Sequence, residues 1–522
     1  MKDLSNGLLY GVDALERETP VDGLPLPREH RQVGIFYFLW CGEHGRHEPL
    51  DITKIIAKYP DAGHRFDVWG DIGQMHHWGE PFYGYYYSDD EWVIRKHMKL
   101  LMQADVDFLY FDTTNAVIYE NNAKKVMSVL QEYHDQGFKI PRVMFYTNTQ
   151  SGKTVQKIYD AIYKQNFCPD TWFVYDKKPL IIAIEEECSQ ECRDFFDIKK
   201  SQWPNEPDKV GGWPWMDFVR PQRVFKNEQG EDEVINVSVA QHPQIMFGDS
   251  VLYGETANRG RAFHNGENDK TEGAVNYGYN FSEQFDRAIE TDPPVVLVTG
   301  WNEWIAGRWQ GTPERPIRFV DLCNCEYSRD LEMMRDGYFD NYFMLLVSYV
   351  RKYKGFSKIP THKDGEEAYY PSTTDGANHR DNDGYGTHYT NNTGRNAITG
   401  VTVKKDKENI IFKLDAKDEL KSGDGDFMVV FVTTEKGKFV LTTDGLYSLD
   451  KDFVRTKIGD IKADINEKSV TYELPVKTLT DGDTICFKAA DSTNKYVRVE
   501  DFYDNGDAAP LGRLDFVYKF EV

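Results

Sequence analysis

Long apolar runs are missing from this chain. No stretch approaches the roughly 20 residues that cross a bilayer, so no membrane span is expected. Cysteine is scarce: seven in 522 residues, an odd number, which argues against a disulfide framework and reads as free, buried thiols. The pairs Cys188/Cys192 and Cys323/Cys325 have no zinc-knuckle spacing. Basic charge is short as well. Against 85 Asp and Glu stand 62 Lys and Arg, a net charge of −23, and so acidic a surface disfavours nucleic acid as a partner. Absent too are a G-x-S-x-G elbow, a Walker loop and a dinucleotide fingerprint after a strand, which removes the commonest serine-hydrolase and nucleotide-binding readings. The opening residues, MKDLSNGLLYGVDALERE, hold no apolar signal-peptide core.

Aromatic residues, by contrast, make up 14% of the chain, and flat apolar rings suit sugar faces as well as protein cores. After an N-terminal extension (1–30), residues 31–355 alternate apolar strand-like runs with helix-like stretches. The runs are VGIFYFLW (33–40), VDFLYFDTTN (106–115), PRVMFYTNT (141–149), PLIIAIEE (179–186), FFDIKKSQW (195–203), PWMDF (214–218), VINVSVAQH (234–242) and PPVVLVTGWNEW (293–304). Continuously apolar strands alternating with helices imply a parallel sheet covered on both faces, and eight of them imply a (β/α)8 TIM barrel. Ser88 and Glu91 have capping-box spacing at the start of one helix, and Gly355 is placed to end another. Residues 356–395 are polar and rich in Gly, Asn and Asp; they are expected to form an ordered linker lying along both domains. Residues 396–522 show short alternating runs without helical period, the pattern of an antiparallel β-sandwich, and the closing segment DFYDNGDAAPLGRLDFVYKF resembles the endings of family 9 carbohydrate-binding modules.

Barrel enzymes carry their chemistry at the C-terminal ends of the strands. Those ends supply Trp40, Cys41, Glu43, Asp112, Asn115, Tyr146, Asn148, Glu185, Glu186, Trp203, Asp217, Gln241, His242, Trp301, Asn302 and Glu303, a set dominated by carboxyls, amides and rings. Glycoside cleavage needs such a set: one carboxyl protonates the leaving oxygen, another attacks, stabilises or activates water, and rings stack on the sugar. Glu303 stands between Trp301 and Trp304 just past a buried strand, where a surface loop has no need of two indoles. The histidines of RHEPLD and MHHWGE, with Glu48 and Glu80, read as a sugar-binding or solvated loop. His76 and His77 are adjacent, and the i, i+4 zincin spacing is absent, so neither metal nor other cofactor is expected.

GYYYSDDEWVIRKHMKLLMQADVDFLYFDTTN, followed far downstream by TGWNEWIAG, resembles the glycoside hydrolase family 71/99-like group, which includes bacterial endo-α-mannosidases. The matching positions are Gly84, Tyr86, Ser88, Asp90, His97, Met98, Asp112 and Trp301–Trp304, within residues 30–355. The resemblance implies a barrel enzyme that cleaves an α-linked glycan, with two late-loop glutamates spaced W-N-E-W-x-E. Glu303 matches the first; the second position is Ala306, which cannot transfer a proton. Another carboxyl must then serve, in the order Asp112, Glu186, Glu185, Asp217, or the protein has lost hydrolysis and only binds glycan. The resemblance also implies that His242, Arg259, Arg261 and Tyr277 line the pocket, and Glu80, Tyr86 and Trp304 join the expected substrate contacts. A carbohydrate is the expected partner and a periplasmic or extracellular location the expected compartment, with the cytoplasm left open; the sequence leaves oligomeric state, sugar and linkage open.

Overall fold

The computed structural model describes residues 1–5, 9–374 and 390–521. Eight strands run parallel: β1 (Gln32–Tyr37), β2 (Phe108–Thr113), β3 (Arg142–Thr147), β4 (Leu180–Ala183), β5 (Asp197–Gln202), β6 (Gly212–Pro214), β7 (Asp232–Ser238) and β8 (Val295–Thr299). They pair in chain order from β1 to β6, and β1 pairs on its other side with β8, which pairs with β7. A ninth strand, Val224–Lys226, lies antiparallel on β7. Among the described residues no ladder joins it to β6, so the nine-strand sheet is a nearly closed barrel with one unpaired seam.

The strands are apolar throughout because both faces are covered. Alternate side chains point inward, and Phe36, Phe108, Tyr110, Met144, Tyr146, Ile182, Trp213 and Leu297 fill the interior as one cluster. Phe36 stacks on Tyr110 (4.7 Å between centroids), whose hydroxyl donates to Val298 O across the interior (2.7 Å). Gly34 is required there: a Cβ on it would lie 2.1 Å from the Phe108 ring. The outward set, including Ile35, Leu109, Phe145 and Val296, belongs to the larger core that takes in the helices.

The helices are α1 (Ile52–Lys58), α2 (Glu91–Gln103), α3 (Glu120–Asp135), α4 (Ser151–Ile158), α5 (Gln190–Phe195), α6 (Phe247–Tyr253), α7 (Tyr279–Thr291) and α8 (Asn341–Lys354). Strand and helix do not alternate throughout. The β5–β6 connection has no helix, and the β6–β7 connection carries the antiparallel strand instead. Strand six lies at 212–214 rather than 214–218, because Trp213 enters the interior and Asp217 turns away to bind Arg223. The cap of α2 is Asp90, whose carboxylate accepts from Trp92 N and Val93 N. Ser88 is engaged elsewhere, accepting from Cys41 N (3.0 Å). Gly355 does cap α8, with φ of 84°, and a Cβ there would lie 2.2 Å from Leu26 O.

The C-terminal part forms two antiparallel sheets. One joins Glu367–Pro371, Ile398–Asp406, Asn409–Ala416, Ser469–Pro475 and Lys462–Ile465 in that spatial order. The other centres on Asp515–Phe520, Thr484–Ser492, Asp426–Thr434 and Gly437–Thr442. Phe412 meets Phe487 between them (5.4 Å), and the Tyr472 hydroxyl donates to Met428 O (2.9 Å). The N-terminal extension takes part: Leu9–Tyr10 pairs antiparallel with Phe516 and Asp515. Of the expected linker (356–395), residues 375–389 lie outside the described residues, and part of the rest is sheet instead: Thr361–His362 pairs with Lys519 and Phe520, and Glu367–Pro371 is the edge strand on Ile398–Asp406.

The two parts meet at Asp340, just before α8. Its fully buried carboxylate accepts from Tyr503 Oη (2.7 Å) and from Arg513 Nε and Nη2 (2.8 and 3.1 Å). Beside it, Gln103 exchanges two hydrogen bonds with the Leu511 backbone (3.0 and 2.9 Å). Removing one partner leaves a buried guanidinium uncompensated, so Asp340→Ala is expected to cost about 3–5 kcal/mol in urea unfolding. A loss below about 1 kcal/mol would show that the joint contributes little.

Candidate active site

The loop after β8 is shaped by close approach and by a neighbouring segment. A Cβ on Gly300 would lie 2.9 Å from the Phe38 ring, so only glycine passes there. Residues 329–332 run beside it: Gly300 N donates to Arg329 O (3.0 Å), Leu331 N to Gly300 O (3.2 Å) and Glu332 N to Trp301 O (3.0 Å). This pairing brings Arg329, Asp330 and Glu332 against the W-N-E-W loop.

The four residues of that loop then part company. Trp301 is fully buried against His97 (5.6 Å, edge to face). Trp304 stacks on Trp78 (4.5 Å, 13°) and donates to Glu332. Glu332 also accepts from Tyr86 Oη (2.7 Å) and contacts His97 Nε2 (2.9 Å). Asn302 clamps β1, accepting from Phe38 N (2.9 Å) and donating to Phe38 O (3.1 Å). Only Glu303 reaches the cavity. That cavity, of about 490 Å³, has indole walls from Trp40, Trp203 and Trp215, with Asp112, Arg329, Asp321, Ala306 and Trp309 also lining it. The indole N–H groups of Trp40 and Trp215 are buried and have no acceptor among the described residues.

Arg329 organises the charge. Its Nη2 and Nε both donate to Glu303 Oε2 (2.9 and 3.2 Å), its Nη2 also reaches Asp321 (3.2 Å), and its Nη1 donates to His242 Nδ1 (3.1 Å). Because a guanidinium only donates, His242 must present an unprotonated Nδ1. Burial, then the Arg329 charge, depresses His242 to about 4, so the ring is neutral in ordinary solution. Burial raises Glu303 well above the ordinary carboxyl range. Arg329 opposes the rise, and Asp321 and Asp330 add to it. Asp330, which accepts from Glu303 N and from Trp78 Nε1 (2.9 Å), is raised to about 7, again chiefly by burial. Among the described residues no group donates to Glu303 Oε1. Asp112 is raised by burial and restrained by Thr114 N and Oγ1 on its Oδ1 (3.0 and 2.7 Å).

Of the residues singled out from the sequence, Trp40, Asp112 and Glu303 line this cavity together, and His242 stands behind Arg329. Others are placed elsewhere. Glu185 and Glu186 lie on a 3-10 turn after β4, where Arg193 binds their carbonyls. Asp217 is buried in an ion pair with Arg223 (2.6 Å). Tyr146 bonds inside the sheet to Trp213 O (3.0 Å), and Asn148 accepts from Ser201 Oγ (2.9 Å). Glu80 pairs with Lys54 and Arg335. Arg261 is buried over Tyr338 (4.4 Å), Arg259 lines a different cavity, and Tyr277 is an exposed ring stacked on Tyr279. Trp203 and Asn115, also among the strand ends, line the Glu303 cavity too, whereas Arg329, Asp321, Trp215 and Trp309 line it without having stood out in the sequence. Trp203 ends the β5 run and carried a positional signal; Arg329 and Asp321 lie in a stretch with no period.

Among the described residues no group of three or more His, Cys, Asp or Glu is arranged to hold a metal, and no helix is long and apolar enough to cross a membrane. No protein-family model matches the chain, and no curated protein matches it significantly.

The raised carboxyls have a stability consequence. An unfolded Asp loses its proton near pH 4, whereas folded Asp330 keeps it to about 7. Between those values the folded state binds more protons, so this contribution falls as pH rises. Asp330→Asn is expected to lower stability overall, by disturbing the Trp78 bond, yet to flatten its decline between pH 5 and 7 by up to about 1.4 kcal/mol per pH unit. Urea unfolding across that range checks it, and an unchanged slope would contradict the assignment.

Proposed function

We propose that this protein is a glycoside hydrolase that cleaves an α-linked glycan, on a barrel of the (β/α)8 kind that the family 71/99-like resemblance implies. One observation carries the reading. Glu303 is a buried carboxyl with raised proton affinity, held by Arg329 through Oε2, with no donor on Oε1 among the described residues, in an indole-walled cavity. A protonated carboxyl so placed suits a general acid, which gives its proton to the glycosidic oxygen as the bond to the sugar carbon breaks. Arg329 fixes the carboxyl's orientation. Asp112 is the second carboxyl of first choice, to activate water or to attack the sugar carbon; Asp321, ion-paired with Arg329, is the other carboxyl on the cavity wall. The unpaired indole N–H groups of Trp40 and Trp215 suit sugar hydroxyls, since a buried donor without an acceptor is costly until a ligand supplies one.

A second reading, a glycan-binding protein on a hydrolase-like barrel, is favoured by one position. Ala306 lines the cavity where the family pattern carries its second glutamate. Incubation with α-mannoside and α-glucoside oligosaccharides separates the two. Hydrolysis by the wild type that falls at least about 100-fold in Glu303→Gln, and that declines on the alkaline side as Glu303 ionises, supports the hydrolase. Saturable binding without cleavage supports the binding protein. Turnover that survives Glu303→Gln overturns Glu303 as the acid.

A further inference from the structure

Trp309 is a large ring held in the open at the edge of the candidate site. It is 61% exposed, yet it lines the same cavity as Glu303. The indole lies back toward the cavity: a Cβ on Gly307 would be 3.9 Å from Trp309 Nε1. Its backbone is fixed on two sides. Trp309–Gln310 pairs with Ile317–Arg318, and the preceding strand, Ile305–Gly307, pairs with Met75–His77. Arg308 adds three bonds to the loop before that strand: its N donates to Gln74 O (3.0 Å), its O accepts from Gly73 N (2.7 Å) and its Nη1 donates to Gly70 O. An exposed indole on so constrained a backbone gives flat apolar area that loses little freedom when a ligand covers it.

We infer that Trp309 is a stacking platform for a sugar residue lying beyond the one next to Glu303. This rests on the glycan reading proposed above and extends it. Three indoles, Trp40, Trp203 and Trp215, are already enclosed with the carboxyls, whereas Trp309 offers its face to solvent. A ligand confined to the inner walls would leave that face uncovered; a longer one would cover it. A ring that holds the ground state and the transition state equally adds to Kd and KM and leaves kcat unchanged.

The test titrates Glu303→Gln protein, with and without Trp309→Ala, by calorimetry. The probes are two oligosaccharide series, α-linked mannose and α-linked glucose, from disaccharide to hexasaccharide. Affinity should rise with length in the Trp309 protein, and the rise should shrink about tenfold in Trp309→Ala, with partial recovery in Trp309→Phe, which keeps a ring. If affinity climbs with length equally in both proteins, or does not climb in either, the platform is overturned while the glycan reading stands. If no member of either series binds the Trp309 protein, the glycan reading fails and the inference with it. Because the side chain is exposed, loss of folding is not expected; equal melting temperatures of the variants verify that.

Discussion

One guanidinium sits among more acid than it can neutralise. Arg329 contacts Glu303 and Asp321, and Asp330 follows it in the chain with its own carboxyl bound to the Glu303 amide. Burial penalises each added negative charge, so Glu303 and Asp330 hold protons that water would strip away. Burial, and after it the same cation, keeps His242 neutral and deprived of acid–base use near neutral pH. The surrounding structure serves this arrangement. The Trp78–Trp304 stack and the carboxylates of Asp330 and Glu332 fix the loop from behind, and Asn302 ties it to β1. Glu303 is left as the member of the W-N-E-W loop that faces the cavity.

Much of the first part was legible because burial on both faces forces apolar strands, and that pattern survives without any partner being known. Eight runs read from the sequence correspond to the eight parallel strands, with strand six displaced by two residues. The order of strands followed from the same regularity. The loss of helices around β6 did not, because WPWMDF is as apolar as a strand and only the fit of Trp213 inside the sheet decides where pairing ends.

The site was legible in part. Glu303 announced itself by standing between two indoles past a buried strand, and Asp112 by polar residues ending an apolar run. Which way each side chain turns was not readable. Trp301 turns out into the helix layer, against His97 of α2 and Phe343 of α8, and Tyr86 meets Glu332 from 246 residues away. Arg329 and Asp321 come from VDLCNCEYSRDLE, which has neither helical nor strand period. The placement of Arg329 depends on backbone bonds to Gly300 and Trp301 that no local pattern encodes. Resemblance drew attention to Arg261, yet its guanidinium is enclosed by Tyr338 and Tyr342.

The pairing of Leu9–Tyr10 with Asp515 and Phe516 carries a consequence for how the molecule is made. On the ribosome those two ends are separated by about 500 residues, which at roughly 5–20 residues per second is on the order of half a minute to two minutes of translation. Through that interval residues 9–10 have no strand to join, and the edge they cover does not yet exist. The barrel strands between them can collapse as they emerge, but the C-terminal sheet cannot acquire this edge until residues 515 and 516 have been made. Maturation is therefore partly a chain-closing event, in which early residues must stay uncommitted until late ones arrive.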